Sequence, residues 1–380
     1  MEKGINTMIR ILHVTTIMNP GGIETLLMNL YRHVDRDQIQ FDFMVHRFER
    51  GAYDNEIEQL GGHIYRLQPI SLRGFTVYLN VLQSFFQIHQ EYQIVHSHLD
   101  ALSTPVLRAA KKAGIPCRIA HSHTSGMQFD GKMPLRIISR FLLGPYCTDY
   151  FACSKVAGDW LFGRHSKYRN QLVILQNGID TDSFAYNKEI RRQVRQAEGL
   201  ENRFVVGHVG RFDRPKNHTF LLGIFQEICK QRNDAFLFLV GDGETMWEIQ
   251  KQAEQLGLLE RICFAGRRMD VSALMQAMDV FVFPSLYEGL GLVLVEAQAC
   301  GLPCVASESI PDEVSLTPLY HRVASDSSAS DWATVVMKTS QEIRSQQSAE
   351  QVRKAGYDIR DIVVFLSEFY LSKEEAISLA

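Results

Sequence analysis

Short apolar runs separated by longer amphipathic ones recur along this chain, and their alternation predicts the architecture. Residues 9–14, 41–45, 64–67, 94–96, 118–121, 150–153 and 173–175 are runs of strand length. They are nearly continuous rather than alternating in polarity, which suits strands of a parallel sheet covered on both faces. Between them, residues 23–33 place Leu26, Leu27, Leu30 and Tyr31 at helical spacing, and 75–89 and 103–113 read as further helices. The rhythm restarts with strands at 204–209, 236–240, 262–265, 280–283 and 304–306, interleaved with helices over 218–231, 271–278 and 292–299. Helices over 331–345 and 359–372 close the chain. Repetition of this kind predicts an α/β fold with parallel sheets.

At 380 residues the chain is too long for one typical domain, so two are expected, each with its own core. Composition changes the picture mainly by exclusion. A net charge of −3 argues against a nucleic-acid partner, which would call for a basic surplus. The seven cysteines are scattered without a CxxC pair, as expected of reduced core thiols. No apolar run has the length of a membrane span, and residues 1–10 lack a signal-peptide core, so a cytoplasmic location is expected.

Candidate chemistry gathers at strand ends. After the run ending at Phe283 comes a loop with Glu288, Gly289, Leu290 and Gly291, then a helical run from Leu292 carrying Glu296, closed by Gly301. Strand, glycine loop and helix form a unit whose helix N-terminus offers free N–H groups to a phosphate. Glu296 lies eight positions beyond Glu288, about two helical turns, so both carboxylates address one end of the unit. A second loop, Gly210-Arg211-Phe212-Asp213-Arg214-Pro215-Lys216-Asn217, follows the strand 204–209 and sets cations before a helix. A third, with Gly21 and Gly22, makes a candidate anion cradle after the first strand.

Two His-Ser-His triplets, His96-Ser97-His98 and His121-Ser122-His123, end adjacent candidate strands. Residues i and i+2 of a strand share a face, so each pair can converge. One reading is a metal site, since His96-Ser97-His98-Leu99-Asp100 is similar to the opening of hydrolase zinc motifs, although Ala101 stands where that motif needs another histidine; another is a purely structural role. Lys132, Arg136 and Arg140 recur every four residues within 131–146, with Leu135, Ile138, Phe141 and Leu142 on other faces. That stripe reads either as a solvated face or as a surface that lies on a membrane.

The glutamate pair with the GLGLVLVEA segment resembles glycosyltransferase family 4, retaining enzymes of the GT-B fold. The likeness runs from about Ile9 to Val305. It implies two Rossmann-like, doubly wound parallel-sheet domains facing a cleft. Their expected extents are 1–185 on the acceptor side, 186–358 for the nucleotide sugar, and 359–380 as a helix crossing back to the first domain. The Asn177-Gly178-Ile179-Asp180 segment would close the first domain, and 186–202 would connect the two with a leading helix. The implied donor is a nucleoside-diphosphate sugar, by family frequency a UDP-hexose or UDP-N-acetylhexosamine. The acceptor would be a saccharide, lipid-linked, in bacterial surface polysaccharide synthesis, with peripheral contact at the inner membrane.

By the same resemblance Arg211 and Lys216 clamp the diphosphate, with Gly21, Gly22 and Gly210 close to it. Glu288 and backbone groups of Gly289, Leu290, Gly291 and Leu292 hold the sugar. Glu296 binds the ribose, and Arg267 and Met269 lie at the base. His123, in its His-Thr-Ser context, assists at the transferred sugar, with His121 as the neighbour easily confused with it. Retaining chemistry of this type uses no protein nucleophile and no metal cofactor. The competing readings are a sugar-nucleotide epimerase and a non-catalytic sugar-nucleotide-binding protein.

Overall fold

The computed structural model describes residues 8–379 except 72, 125 and 127–130. It divides into two compact units, residues 1–178 with 359–380, and residues 179–358. The first holds a seven-stranded parallel sheet of β1 (Ile9–Thr15), β2 (Ile39–Val45), β3 (Ile64–Arg66), β4 (Ile94–Ser97), β5 (Cys117–Ser122), β6 (Asp149–Ala152) and β7 (Leu172–Ile174), in the order β3-β2-β1-β4-β5-β6-β7. The second holds six parallel strands, β8 (Phe204–Val209), β9 (Ala235–Val240), β10 (Ile262–Phe264), β11 (Val280–Phe283), β12 (Cys304–Ser307) and β13 (Tyr320–Val323), in the order β10-β9-β8-β11-β12-β13. Both are doubly wound. Each sheet starts at a central strand, steps to one edge, then returns to the other side of that first strand. The reversals fall between β1 and β4 and between β8 and β11, and crevices outside the carboxyl ends of such strand pairs bind ligands.

Continuous apolar strands follow from two-sided burial. In β1, Ile11 faces a core with Phe41, Phe43, Ile119 and Leu27, while Leu12 faces a second core with Met44, Val95, Tyr78 and Leu82. All four side chains of β11 are fully buried. Each large apolar side chain so enclosed contributes about 1.5–3 kcal/mol.

The last helix, Ile359–Ser378, packs on the first unit through Ile359, Ile362, Val363, Leu366 and Tyr370. Phe365, expected in that stripe, is exposed instead. At 100° per residue it sits roughly 120° from the centre of the buried face, and Tyr370 falls on that face in its place. The helix expected over 131–146 is Met133–Leu142, because Gly144-Pro145 stops it. The helix expected over 331–345 is Ala329–Thr339, displaced because Ser328 and Asp331 form a reciprocal capping box. Strand β13 was not anticipated: His321 and Arg322 interrupt its apolar pattern at a sheet edge. Within 186–202 the helix Lys188–Ala197 is tied into the second unit by Arg191 and Arg195, which donate to Asp279 at 2.5 and 3.3 Å. All seven cysteines are free thiols. Among the described residues no helix is long and apolar enough to cross a membrane.

Candidate functional site

In the second unit, the loops after β8 and β11 flank the reversal point and interlock. Leu286 N–H donates to Pro215 carbonyl at 2.8 Å, and the Asn217 side-chain amide donates to Pro284 carbonyl at 3.3 Å. Asn217 adopts φ 56°, a left-handed conformation that asparagine tolerates, and so starts the helix His218–Gln231 abruptly. This brings Lys216 Nζ to 2.6 Å from Glu288 Oε1, with side chains only 17% and 14% exposed. The same ammonium lies 4.7 Å from the centroid of the Phe283 ring. A cation and a carboxylate 72 positions apart in sequence thus meet at one strand-end crevice.

The floor beneath them is aromatic and uncharged. His208 stacks near Phe283, with ring centroids 5.4 Å apart, and its Nδ1 lies 2.9 Å from the Val282 carbonyl. A carbonyl only accepts, so Nδ1 carries the proton and the unpartnered Nε2 keeps a lone pair. His218 stacks on Phe212 at 4.1 Å. Burial above all, with the positive charge of Lys216 adding to it, pushes His208 down to about 4 against the opposing hydrogen bond to Val282; burial, then His208, then Lys216 pushes His218 to about 2. Both are neutral at pH 7, leaving Lys216 as a cation at this spot. Burial also raises the carboxyl of Asp213 in the same loop, opposed by Lys216 and Arg211. Arg211 itself is exposed, and its guanidinium makes no hydrogen bond or ion pair among the described residues.

Two glycines are dictated by the geometry. Gly241, at φ 142°, follows β9, and a Cβ there would lie 2.0 Å from the Gly210 carbonyl oxygen. Gly210 N–H donates to Val240 carbonyl and Gly241 N–H to Gly266 carbonyl, both at 2.9 Å, so the loops after β8, β9 and β10 form one shelf. Gly291, at φ 86°, turns the chain into the helix Leu292–Ala299, whose N-terminus has no side-chain cap. Leu290 and Leu292 are buried behind it. On that helix Glu296 is half-buried and makes no side-chain hydrogen bond among the described residues; burial pushes its carboxyl up to about 8. Arg267 and Met269 are exposed after β10, Arg267 3.5 Å from Asp242.

Gly21, Gly22 and His123 belong to the first unit. Gly21 precedes the helix Gly22–His33, where Glu24 already brings a carboxylate into the first turn, held by the Thr15 hydroxyl at 3.1 Å. His123 follows β5. Its backbone N–H donates to Asp100 at 2.7 Å, and its Nε2 lies 2.9 Å from His98 Nδ1. Asp100 stands at φ 49°, and burial raises its carboxyl to about 7 against opposing hydrogen bonds from the backbone of His123 and Thr124. Burial lowers His123 to about 3. His121 is fully buried and faces His96 at 3.2 Å, so of the two candidates His123 is the half-buried one. His13 and Tyr370 were not singled out from sequence, and Asp100 only within the His96–Asp100 segment; strand register brings His13 to these histidines and packing of the last helix brings Tyr370.

Comparison with known proteins identifies the family. Residues 20–183 match the family model described as Glycosyltransferase Family 4, and 190–359 the one described as Glycosyl transferases group 1. The chain is 36% identical to a putative glycosyltransferase EpsF of Bacillus subtilis, over 95% of this chain and 96% of that protein. It is 25% identical to an Escherichia coli UDP-Gal:alpha-D-GlcNAc-diphosphoundecaprenol alpha-1,3-galactosyltransferase, over 80% of this chain and 81% of the other. The solved structure of Anabaena HepE in complex with UDP and glucose superposes with a TM-score of 0.78 at 22% identity, covering 96% of this chain and all of that one. That likeness shows the fold.

Proposed function

Because the chain belongs to glycosyltransferase family 4, we propose that it moves a hexose-type sugar from a UDP-sugar to a saccharide hydroxyl with retained anomeric configuration. The observation that carries this reading is the Lys216–Glu288 pair at 2.6 Å, set where the second sheet reverses. A nucleoside diphosphate concentrates negative charge on its leaving oxygen. Lys216 and the unengaged Arg211 neutralise that charge as it develops, and the uncapped helix N-terminus after Gly291 adds main-chain N–H donors. Glu288, held by Lys216, accepts hydrogen bonds from sugar hydroxyls. Glu296 accepts from the ribose, Arg267 and Met269 border the base, and His123 contacts the sugar.

In the reaction the C1–O bond to the diphosphate breaks and a bond from C1 to the acceptor oxygen forms on the same face. The acceptor proton passes to the departing phosphate oxygen, so neither a protein nucleophile nor a metal is needed. The Escherichia coli relative, named for a lipid-diphosphate acceptor, supports a lipid-linked saccharide acceptor here. So does the helix Met133–Leu142, which leaves Ile138, Phe141 and Leu142 exposed on one face at 58%, 78% and 51%, while Arg136 and Arg140 lie half-buried on the opposite face. An exposed apolar helix face suits the interface of a membrane that carries such an acceptor.

The test is UDP release from a panel of UDP-sugars, with and without a lipid-linked saccharide, in chelator-containing buffer. Turnover that Glu288→Gln lowers by about 10²-fold or more supports the reading. Conversion of the sugar to an isomer without UDP release would identify an epimerase instead. Tight UDP-sugar binding with no turnover would identify a binding protein.

A further inference from the structure

Five histidines from three neighbouring strands stack at the carboxyl end of the first sheet. His13 lies on β1, His96 and His98 at the end of β4, and His121 and His123 at the end of β5. His-x-His on adjacent parallel strands puts all the rings on one face, and the stacked pairs His96/His98 and His121/His123 have centroids 4.3 and 4.0 Å apart. Between strands the rings meet nitrogen to nitrogen: His13 Nδ1 to His98 Nε2 at 3.1 Å, His96 Nε2 to His121 Nδ1 at 3.2 Å, and His98 Nδ1 to His123 Nε2 at 2.9 Å. Tyr370 caps the array with its hydroxyl 2.7 Å from His96 Nδ1.

A purely hydrogen-bonded ladder does not close. Each neutral imidazole has one donor and one acceptor. The chains end in buried ring nitrogens with no partner among the described residues: His13 Nε2, His121 Nε2 and His123 Nδ1. The proposed transfer gives none of these except His123 a task. One ligand atom from each of His98, His121 and His123 lies within 4.8 Å of the other two. Two nitrogens bound to one tetrahedral zinc at about 2.0–2.1 Å stand about 3.3 Å apart, so the contacts already approach that spacing.

We propose that His98, His121 and His123 form a binding site for one borderline divalent transition-metal ion of the Zn²⁺ class, with an outer shell already in place. With His98 Nδ1 on the ion, its Nε2–H donates to His13 Nδ1. With the unpartnered Nε2 of His121 on the ion, its Nδ1–H donates to His96 Nε2, and the Nδ1–H of His96 donates to the Tyr370 oxygen. Imidazole ligands are fixed in just this way by acceptors on their second nitrogen. His123, the half-buried member, contributes Nε2 and leaves the open side for a water as fourth ligand. Three neutral nitrogens suit zinc, cobalt or nickel, whereas magnesium and calcium require oxygen ligands. The site shares His123 with the proposed sugar contact, so metal binding is read without turnover and its outcome is separate from that of the transfer assay.

Chelator-treated full-length protein titrated with Co²⁺ gives a direct reading through the strong visible absorption of a four-coordinate site. One Co²⁺ per chain, displaced by Zn²⁺, is expected, with affinity falling about tenfold or more in His98→Ala and in His123→Ala. His123→Ala carries the test if His98→Ala fails to fold, since its ring lies at the half-open strand end. His33→Ala, which alters an exposed helix position, should bind as the wild type does. Absence of a four-coordinate spectrum in the wild type, or wild-type affinity in the folded ligand variants, overturns the proposal, whatever the outcome of the UDP-release assay.

Discussion

Replacing Lys216 by methionine isolates the charge at the centre of the candidate donor site. Methionine retains an apolar stem over Phe283 but removes the ammonium 2.6 Å from Glu288. Two effects should separate. For stability, exposed pairs contribute roughly 0.2–1 kcal/mol and breaking a fully buried one costs about 3–5 kcal/mol. This pair, at 17% and 14% exposure, falls between them, so a loss of about 1–3 kcal/mol is expected. For catalysis, loss of a fixed group facing developing charge costs about 10²–10³ in kcat, with a smaller change in KM. The assay is a double-mutant cycle over Lys216→Met, Glu288→Gln and the double variant, with urea denaturation and UDP release measured on each. A stability coupling of about 0.5–3 kcal/mol is expected, because both single variants break one interaction. A Lys216→Met enzyme with kcat within about threefold of wild type would refute the charge-neutralising role. Additive stability losses would mean that the pair exists without contributing.

Glu296 supplies a pH dependence. Its carboxyl sits at about 8 in the folded chain against an ordinary value near 4.5, so the folded state holds a proton the unfolded state releases. This group imposes no cost below about pH 4.5, a growing cost as pH rises to about 8, and a constant one above; Glu296→Gln should flatten that part of the stability profile in urea titrations. Gly241→Ala should destabilise the second unit by more than about 2 kcal/mol, since φ 142° and a Cβ 2.0 Å from the Gly210 carbonyl both oppose it, and calorimetry reads the loss. Phe141→Asp combined with Ile138→Asp should lower co-sedimentation with anionic phospholipid vesicles severalfold while leaving circular dichroism unchanged, because both side chains are exposed.

Much of the fold was legible because the information is local. Strands buried on both faces need unbroken apolar runs, so β1, β8 and β11 could be located by inspection. The loops bearing Lys216 and Glu288 were legible for a related reason: glycines, prolines and charges directly after such a run mark the carboxyl end of a strand. Where local pattern and burial diverge, the reading failed. An edge strand such as β13 needs only part of its length apolar, and a side chain's angle around a helix, as with Phe365 against Tyr370, depends on which neighbour the helix meets.

By itself, then, the chain's pattern determined its strands, most of its helices and the chemical character of each strand-end loop, since these depend on residues within a few positions of one another. Tertiary structure alone decided which loops meet. The strand order places β8 beside β11 and so joins Lys216 to Glu288. It sets β1, β4 and β5 side by side and gathers five histidines under a tyrosine from the last helix. Those groupings arise from register and crossover between segments up to 274 positions apart, where no short-range periodicity reaches.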